Sequence, residues 1–330
     1  MSVASAKELA KKVREGDRRA LAQAITKIES ENPTDKETAK IILEELTPYS
    51  GNSFRLGVSG VPGVGKSTFI ENLGNYLIGE GHKIAVLAVD PSSVISGGSI
   101  LGDKTRMEKL SRKLEAFIRP SPAGATLGGV SRRTRETMLL TEAAGFDIVL
   151  IETVGVGQSE TTVSQMTDMF LLMLLPGGGD ELQGIKRGIV ELADLILVNK
   201  SDGEMTLAAE QSVIDYRKAV SLMHPRTEEW NVKVESFSAL SGAKTEAIWK
   251  LISEYKNIQN KIGAIEINRS KQARNWMWNE IGLDLTDRLK KSSLIKSKII
   301  ELESAVAKGK MSPTTAADGL VKAFLNADKN

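Results

Sequence analysis

The stretch that decides the fold runs from residue 60 to residue 68 and reads Gly60-Val61-Pro62-Gly63-Val64-Gly65-Lys66-Ser67-Thr68. It fits the phosphate-binding loop pattern G-x-x-x-x-G-K-[ST] at every fixed position. Glycines let such a loop turn successive backbone N–H groups toward a phosphate, and the positive end of the following helix adds to the attraction. Lys66 is then expected to reach the β- and γ-phosphates, and Ser67 to ligate Mg²⁺. The pattern predicts a site for a nucleoside triphosphate.

The residues on either side supply the strand and the helix that such a loop needs. Residues 54–59 form a short, largely apolar segment typical of a strand, and residues 68–77 carry apolar side chains at helical spacing. Strands and helices then alternate to about residue 267, with clear strands predicted at 83–90, 147–152, 168–175, 194–199 and 233–238. This alternation is typical of an α/β fold, in which helices cover both faces of a mainly parallel sheet.

Both ends of the chain lack strand patterns and are predicted to be helical. Residues 3–30 and 35–47 have apolar positions at helical spacing, separated by Pro33, after which Thr34 or Asp35 can cap the next helix. Three further helices are predicted at 270–289, 293–308 and 313–325, the last introduced by Ser312 and Pro313. We therefore predict three parts: an N-terminal helical extension over 1–50, a nucleotide-binding domain over 51–268 and a C-terminal helical arm over 269–330.

A second motif selects the base of the nucleotide. Asn199-Lys200-Ser201-Asp202 follows the apolar strand segment 195–198 and matches the N-K-x-D pattern of GTP-binding proteins. The Asp202 carboxylate can accept hydrogen bonds from N1–H and N2–H₂ of guanine, two donors that adenine does not present together. Each such charge-assisted bond contributes about 1.5 to 3 kcal/mol. GTP and GDP are therefore the predicted ligands.

A third segment supports the same base. Ser238-Ala239-Leu240 comes after the strand segment 232–237 and resembles the S-A-[KL] loop, whose backbone N–H contacts O6 of guanine in GTP-binding proteins. The segment is a weak signal alone. Its position after the other two motifs agrees with a GTP site.

Acidic residues at strand ends are candidates for the magnesium environment. Glu152 ends a predicted strand and Gly155 follows three residues later, as in the D-x-x-G motif with Glu replacing Asp. Glu152 is expected near Mg²⁺, and the Gly155 N–H is expected to sense the γ-phosphate. Asp90 is a second candidate acid, although the Asp-Pro-Ser sequence there is also common in turns.

Two glycine-containing segments that carry charged residues, 101–106 and 176–186, are candidates for nucleotide-responsive loops. Asp103 is expected to face Mg²⁺, and Lys186 or Arg106 to neutralise charge at the phosphates or at a partner. Ordinary surface loops with solvated charges are the alternative.

The residue that orients the attacking water in small GTPases is not in its usual place. In those proteins a glutamine directly follows the glycine of the D-x-x-G motif, whereas here Val156 does, and Gln158 lies two residues further on. We therefore predict slow hydrolysis by the protein alone, with stimulation by a partner that orders the loops. Lys66, Gly155, Gln158 and Lys186 are the candidate catalytic residues.

Composition excludes several other classes of protein. The chain has 44 basic and 42 acidic residues, so its net charge of +2 gives no field that favours nucleic acid or an anionic membrane. It has no cysteine and two histidines, which argues against a thiolate or transition-metal site. The longest apolar run, residues 169–175, is too short to cross a bilayer, and acidic residues interrupt the basic N-terminus. We expect a soluble, cytoplasmic protein.

The densest aromatic cluster is Trp276-Met277-Trp278, within an otherwise charged predicted helix. Adjacent tryptophans face different sides of a helix, so the helix must contact two surfaces to bury both. A dimer contact and ordinary core packing both fit this cluster.

Taken together, these blocks resemble the GTPases associated with methylmalonyl-CoA mutase, the MeaB/ArgK/MMAA family. The resemblance covers nearly the whole chain. It rests on Gly16 to Ala22 (GDRRALA), the loop at 60–68, Val89 to Ser93 (VDPSS), Glu152 to Glu160 (ETVGVGQSE), Pro176 to Lys186 (PGGGDELQGIK) and Asn199 to Asp202.

This resemblance implies a homodimeric G protein that binds an adenosylcobalamin-dependent acyl-CoA mutase, gates cofactor loading and protects the enzyme from inactivation. It implies nucleotide-responsive switches at 155–160 and 177–186, the latter with Lys186, and a C-terminal dimerisation arm. It places Asp90, Asp103 and Glu152 near Mg²⁺, and Asp202 with 238–240 at guanine. Adenosylcobalamin is implied only through the partner mutase.

Three alternatives have different chemistry. A nickel metallochaperone of the same G-protein class would use Cys and His ligands that this chain lacks. A kinase would transfer phosphate to a metabolite or a periplasmic transport protein, a role once attached by name to some family members. A scaffold would bind GTP only to set its conformation, without turnover.

Overall fold

A computed structural model of the chain describes residues 2–89, 107–120, 127–153, 159–177, 187–223 and 225–327. The backbone divides into two compact units, Met1–Arg269 and Ser270–Asn330. The N-terminal helices belong to the first unit, together with the sheet. The three-part division made from the sequence stays a prediction.

The first unit is built on a seven-stranded sheet in which every pair of neighbouring strands is parallel. In spatial order the strands run β3-β2-β4-β1-β5-β6-β7. Their bounds are Phe54–Gly60 (β1), Ile84–Val89 (β2), Ala116–Arg119 (β3), Ile148–Thr153 (β4), Met169–Leu174 (β5), Leu195–Val198 (β6) and Lys233–Ser236 (β7). The α/β fold with a parallel sheet is therefore confirmed.

The described helices of the first unit include the N-terminal helices and those that alternate with the strands. They are Val3–Arg14 (α1), Arg18–Glu29 (α2), Pro33–Leu46 (α3), Lys66–Gly79 (α4), Glu108–Ser111 (α5), Leu127–Ala143 (α6), Ser159–Ser164 (α7), Arg187–Val190 (α8), Thr206–Ser221 (α9) and Thr245–Lys261 (α10), with short 3₁₀ turns at Thr47–Tyr49 and Gly203–Met205.

Beyond α10 the chain is helical. The helices are Ala264–Lys291 (α11), Lys296–Ala307 (α12) and Pro313–Ala327 (α13). Ser312 accepts a hydrogen bond from the Thr315 N–H, as expected of the predicted cap. No helix in the described part of the chain has both the length and the apolar character that a membrane crossing requires.

The N-terminal helices differ from the prediction in two places. The helical pattern over 3–30 forms two helices, because Gly16 takes a left-handed φ of 84° and Asp17 caps α2 through the N–H groups of Arg19 and Ala20. The next helix starts earlier than predicted: the Asn32 side chain caps it and Pro33 occupies its first turn. Thr34 and Asp35 are therefore inside α3, and their predicted capping role is wrong.

The strand prediction missed one strand. β3 is four residues long and pairs with β2 at the edge of the sheet. It ends in Arg119 and has no long apolar run, so the pattern of residues 116–119 is too short to distinguish a strand from a loop.

Each face of the sheet has its own core. Alternate residues of β1 show this: Phe54, Leu56 and Val58 are buried against the side that holds α4 and α10. The opposite core contains apolar residues of α1, α2, α3 and α6. The N-terminal helices thus cover one face of the sheet, and the nucleotide-loop helix covers the other.

The amino-terminal edge of the sheet is joined by buried charges. Arg55 of β1 donates to both carboxylate oxygens of Glu142 at 2.7 and 2.9 Å, and Ser53 and the Gly51 N–H donate to the same carboxylate. Burial alone would raise the pKa of Glu142, but the bond and charge of Arg55, with Ser53 and Gly51, hold that pKa below its ordinary value.

A second pair lies beside the first. Arg269 donates to the two oxygens of Asp168 at 2.7 and 2.5 Å, and it also donates to the carbonyl oxygen of Ser53. Asp168 accepts the backbone N–H of Arg55 at 2.8 Å. Both acids are therefore neutralised at the end of the sheet where the strands begin.

Candidate functional site

The predicted phosphate loop lies where the direction of strand addition changes. From β1 the chain crosses through α4 to β2 on one side of the sheet, and from β4 it crosses to β5 on the other side. Ligands of open parallel sheets bind outside the carboxyl ends of the strands at such a switch point. The end of β1 pairs with β5 through Gly60 and Met173, which places the loop between the two halves of the sheet.

Two glycines of the loop are required by close contacts. Gly60 has φ 151°, and a Cβ there would lie 2.4 Å from the Met173 carbonyl oxygen. Gly65 has φ 98°, and its Cβ would lie 2.5 Å from the side-chain nitrogen of Asn199. A larger residue at either position would push the loop away from the strands that hold it.

The loop presents a helix N-terminus and one buried cation. Helix α4 starts at Lys66, and its N-cap, Gly65, has no side chain to satisfy the first N–H groups. The Lys66 ammonium is buried and donates to the carbonyl oxygens of Gly60 at 2.7 Å and Val61 at 3.3 Å. Uncapped N–H groups, the helix dipole and the ammonium together form an electrostatic site for phosphate.

The magnesium prediction rests on two residues that the structure brings together. The Ser67 hydroxyl donates to Glu152 Oε1 at 2.9 Å, joining the start of α4 to β4. Glu152 is buried, in register with Val58 of β1. A hydroxyl and a carboxylate beside a phosphate site are the hard oxygen donors that Mg²⁺ prefers, so these residues fit that ion. Among the residues described, no group of three or more His, Asp or Glu side chains is arranged to hold a metal ion.

Asp202 and Ser238 meet at the other end of the site. The Ser238 hydroxyl donates to Asp202 Oδ2 at 2.5 Å and accepts the Ser241 N–H at 3.2 Å. Lys200 is one of three non-glycine residues in the described chain with positive φ, at 60°. Asp202 is half-buried and Leu240 is 87% exposed. The two motifs predicted to bind guanine are therefore in contact.

Asn199 joins the phosphate loop to the base loop. Its side-chain nitrogen donates to the Val64 carbonyl oxygen at 2.6 Å, and its side-chain oxygen accepts the Ala239 N–H at 2.8 Å. Asn199 is buried, so these two bonds are shielded from water and are stronger than they would be at the surface. One side chain thus sets the distance between the two ends of the predicted nucleotide site.

Motif reasoning missed two further groups. Below the loop, the Thr153 hydroxyl of β4 donates to Ser59 Oγ of β1 at 3.0 Å, and both residues are fully buried. On α4, the Asn72 side chain donates to the Ala239 carbonyl oxygen at 2.5 Å. Thr153 adjoins Glu152 in the sequence and could be found there, whereas no sequence motif contains Asn72.

The other predicted site residues lie outside the described residues. These are Asp90 and Asp103 of the magnesium prediction, and Gly155, Gln158 and Lys186 of the catalytic prediction. Their roles stay predictions. Lys66, Ser67 and Glu152 are the described members of the two sets.

Comparisons with known proteins agree on one family. The family description "Methylmalonyl Co-A mutase-associated GTPase MeaB" matches residues 21–293. The chain is 50% identical over 309 residues to a putative GTPase of Caulobacter vibrioides, covering 94% of each protein. It is 46% identical over 319 residues to the mitochondrial methylmalonic aciduria type A homolog of Mus musculus, covering 94% of this chain and 77% of that protein.

A solved structure has the same fold over almost its full length. It is described as an LAO/AO transport system kinase and aligns with a TM-score of 0.78 at 36% identity, covering 98% of this chain and 99% of that one. Sequence and structure comparisons therefore cover the phosphate loop, the sheet and both helical ends. The chain belongs to the family of methylmalonyl-CoA mutase-associated GTPases.

Proposed function

We propose that this protein binds GTP with Mg²⁺, hydrolyses it to GDP and phosphate, and acts as a G-protein chaperone for an adenosylcobalamin-dependent acyl-CoA mutase. The observation that carries the nucleotide part is the Asn199 bridge between Val64 and Ala239. Val64 lies 135 residues before Asn199 in the phosphate-binding loop, and Ala239 lies 40 residues after it in the segment predicted to bind guanine. Family membership supports GTP as the substrate and the mutase as the partner.

The residues divide the work by charge. Lys66 and the N-terminus of α4 bind the phosphates and stabilise the negative charge that moves during transfer. Ser67 and Glu152 would hold Mg²⁺, which neutralises phosphate charge when bound. Asp202 accepts from the guanine N1–H and N2–H₂, and Ser238 holds the carboxylate in place.

Slow turnover without a partner follows from the sequence around Gly155. Val156 replaces the usual glutamine, so the water-orienting group must come from Gln158 or from a partner-ordered loop. Stimulation by the mutase is the expected consequence. The nucleotide state would then control whether cofactor loading proceeds and whether the mutase is protected.

A homodimer is part of the same proposal. In the second unit, Trp276 is half-buried, whereas Met277 and Trp278 are 50% and 66% exposed. Exposed aromatic and methionine side chains are enriched at the centres of protein interfaces. Sedimentation equilibrium should give a dimer mass that Trp278→Ala lowers toward the monomer.

The test compares nucleotides, partners and products in one assay. Phosphate release is measured with GTP and with ATP, with and without a purified adenosylcobalamin-dependent methylmalonyl-CoA mutase, for the wild type and Lys66→Ala. For the wild type we expect phosphate release from GTP and not from ATP, and faster release when the mutase is present. Lys66→Ala should lose both the release and its stimulation. Turnover that the mutase leaves unchanged would contradict the chaperone role but not GTP hydrolysis.

A kinase is the second candidate, favoured by the similarity to the solved LAO/AO transport system kinase. A kinase would transfer the terminal phosphate to a metabolite or a periplasmic transport protein. The two functions differ in the fate of the phosphate. One free phosphate per GDP formed supports hydrolysis, whereas a phosphorylated acceptor detected by mass spectrometry supports the kinase.

A further inference from the structure

The turn that follows β7 is fixed from both sides at a single residue, Ala239. Its N–H donates to Asn199 Oδ1 at 2.8 Å, and its carbonyl oxygen accepts the Asn72 amide at 2.5 Å. Asn199 belongs to a guanine motif, but Asn72 lies on α4, about one and two-thirds turns beyond Lys66, the lysine predicted to bind phosphate. Asn72 therefore joins α4, the helix that follows the predicted phosphate-binding loop, directly to the turn predicted to read the base.

The bond to Asn72 sets the direction of the next backbone N–H. The described chain has no cis peptide bond, so the peptide between Ala239 and Leu240 is trans. In a trans peptide the C=O and N–H point in opposite directions. With the Ala239 carbonyl held toward α4, the Leu240 N–H points away from that helix. Within the described residues, no acceptor takes this N–H.

The rest of the turn also packs around Asn72. The Gly242 N–H donates to the Ser238 carbonyl oxygen at 3.0 Å, closing the turn. A Cβ on Gly242 would lie 3.6 Å from the Asn72 amide atoms, so the turn is in van der Waals reach of this side chain. Ser238 itself bonds to Asp202. The turn is thus held between the base-reading carboxylate and Asn72.

Building on the proposed function, we propose that Asn72 is a positioning residue for guanine: it aims the backbone N–H of Leu240, in the Ala239-Leu240 turn, at O6 of the base. Asp202 reads N1–H and N2–H₂, and O6 is the acceptor on the same edge of the base. A donor N–H held in place rejects a base without O6 because the N–H is then left unpaired. Asn72 acts through the backbone and need not touch the nucleotide.

The experiment measures binding of two nucleotides by calorimetry. GDP is compared with 2-aminopurine riboside 5′-diphosphate, which keeps the 2-amino group and the phosphates but lacks O6 and the N1 proton. Each variant is compared with the wild type on the same nucleotide, so the missing N1–H bond to Asp202 affects both proteins alike. For Asn72→Ala we expect GDP affinity to fall roughly fivefold to tenfold, the effect of one lost hydrogen bond. Affinity for the analogue should change less than twofold, because it has no O6 to lose.

Asn75→Ala is the matched control. Asn75 lies one turn further along α4, is half-buried like Asn72, and donates only within its own helix, to the Glu71 carbonyl oxygen at 2.7 Å. We expect both affinities to stay at the wild-type value in this variant. Asn72→Asp is the second test variant: it keeps the size of the side chain, removes the donor, and should lose GDP affinity by more than Asn72→Ala.

The outcomes separate this inference from the function on which it rests. Equal weakening of both nucleotides in Asn72→Ala and Asn72→Asp would show a general structural role and overturn the inference, as would unchanged GDP affinity. A wild-type protein that binds neither nucleotide would refute the proposed function, and the inference with it. Selective loss of GDP affinity supports both.

Discussion

The two edges of the sheet use polar groups in opposite ways. At the amino-terminal edge, Arg55 and Glu142 are a buried ion pair, and Arg269 and Asp168 form a second. At the carboxyl edge, the buried Lys66 ammonium lies against backbone carbonyls, and Asn199 bonds to two loops. The first edge neutralises its charges within the protein, whereas the second directs cationic and N–H groups where a ligand's negative charge is predicted. The charged residues of the first edge therefore stabilise the fold, whereas the polar residues of the second edge are predicted to bind the ligand.

The strongest test of this contrast removes the cation of the carboxyl edge. Lys66→Ala should lower the rate of GTP hydrolysis on the order of a thousandfold, because the ammonium stabilises charge that develops on the phosphates. The rate is measured as phosphate release in single turnover. Lys250→Ala is the control, since Lys250 pairs with Glu246 on an exposed helix face. A Lys66→Ala rate within tenfold of wild type would contradict the assignment.

The next test breaks the ion pair of the opposite edge. Glu142→Ala leaves the buried Arg55 guanidinium without its carboxylate, which should lower the free energy of unfolding by about 3 to 5 kcal/mol. Urea unfolding followed by circular dichroism gives this value. GDP affinity of the folded variant should stay near the wild-type value.

Its control is Glu246→Ala, which removes an exposed carboxylate and should leave the unfolding midpoint nearly unchanged. If Glu142→Ala reduced the free energy of GDP binding by more than it reduced the free energy of unfolding, the two edges would not have separate roles.

A third test changes the base preference from guanine toward xanthine. Asp202→Asn replaces an acceptor by a side chain that can donate, so GTP affinity should fall roughly a hundredfold, as expected for two charge-assisted bonds. Xanthosine triphosphate, which has a carbonyl group at C2 in place of the amino group, should gain affinity. Competition binding measures both. Equal losses for the two nucleotides would indicate that Asp202 supports the loop without reading the base.

The smallest expected effect is on pH dependence. The pKa of Glu142 is lowered in the folded protein, so its contribution to stability is present above its ordinary value of 4.5 and is lost as pH falls through the lower folded pKa. Glu142→Gln should therefore flatten the decline of stability below about pH 4.5. Unfolding free energies measured between neutral pH and pH 3 test this slope.

Asp194, which precedes β6, is the opposing case. Burial raises its pKa against the lowering effects of Arg226, Thr227 and the Phe170 N–H, so its contribution to stability increases as pH falls. Asp194→Asn should remove that contribution and make the free energy of unfolding fall more steeply as pH is lowered. A similar slope change in Asp194→Asn and Glu142→Gln would contradict the two assigned directions.

Local patterns were sufficient for much of the fold. Apolar runs predicted six of the seven strands, and the Ser312 cap lies where the sequence placed it. The four-residue β3 was missed because its identity depends on pairing with β2, not on its own pattern. Asn32 was missed as a cap because Asn, Thr and Asp near Pro33 all have suitable side chains, and only the backbone course selects one.

The candidate site divides in the same way. Lys66, Ser67, Asn199 and Asp202 could be named from sequence because their spacing within each motif reflects local backbone geometry. The Ser67 bond to Glu152 and the Asn199 bond to Val64 join positions 85 and 135 residues apart. Asn72 belongs to no motif, because what matters is its distance from a turn 167 residues away.

The sequence alone determined the fold class, the nucleotide motifs and the family, because each depends on neighbouring residues and their periodicity. The tertiary structure decided which side chains from distant segments share one site, and which charges the protein neutralises for itself. Parallel strands deliver their carboxyl ends to one edge, and only their order and register place Asn199 between the loops and Asn72 beneath Ala239. Chemical identity is local to the chain, whereas hydrogen-bond distance depends on the packing of the whole domain.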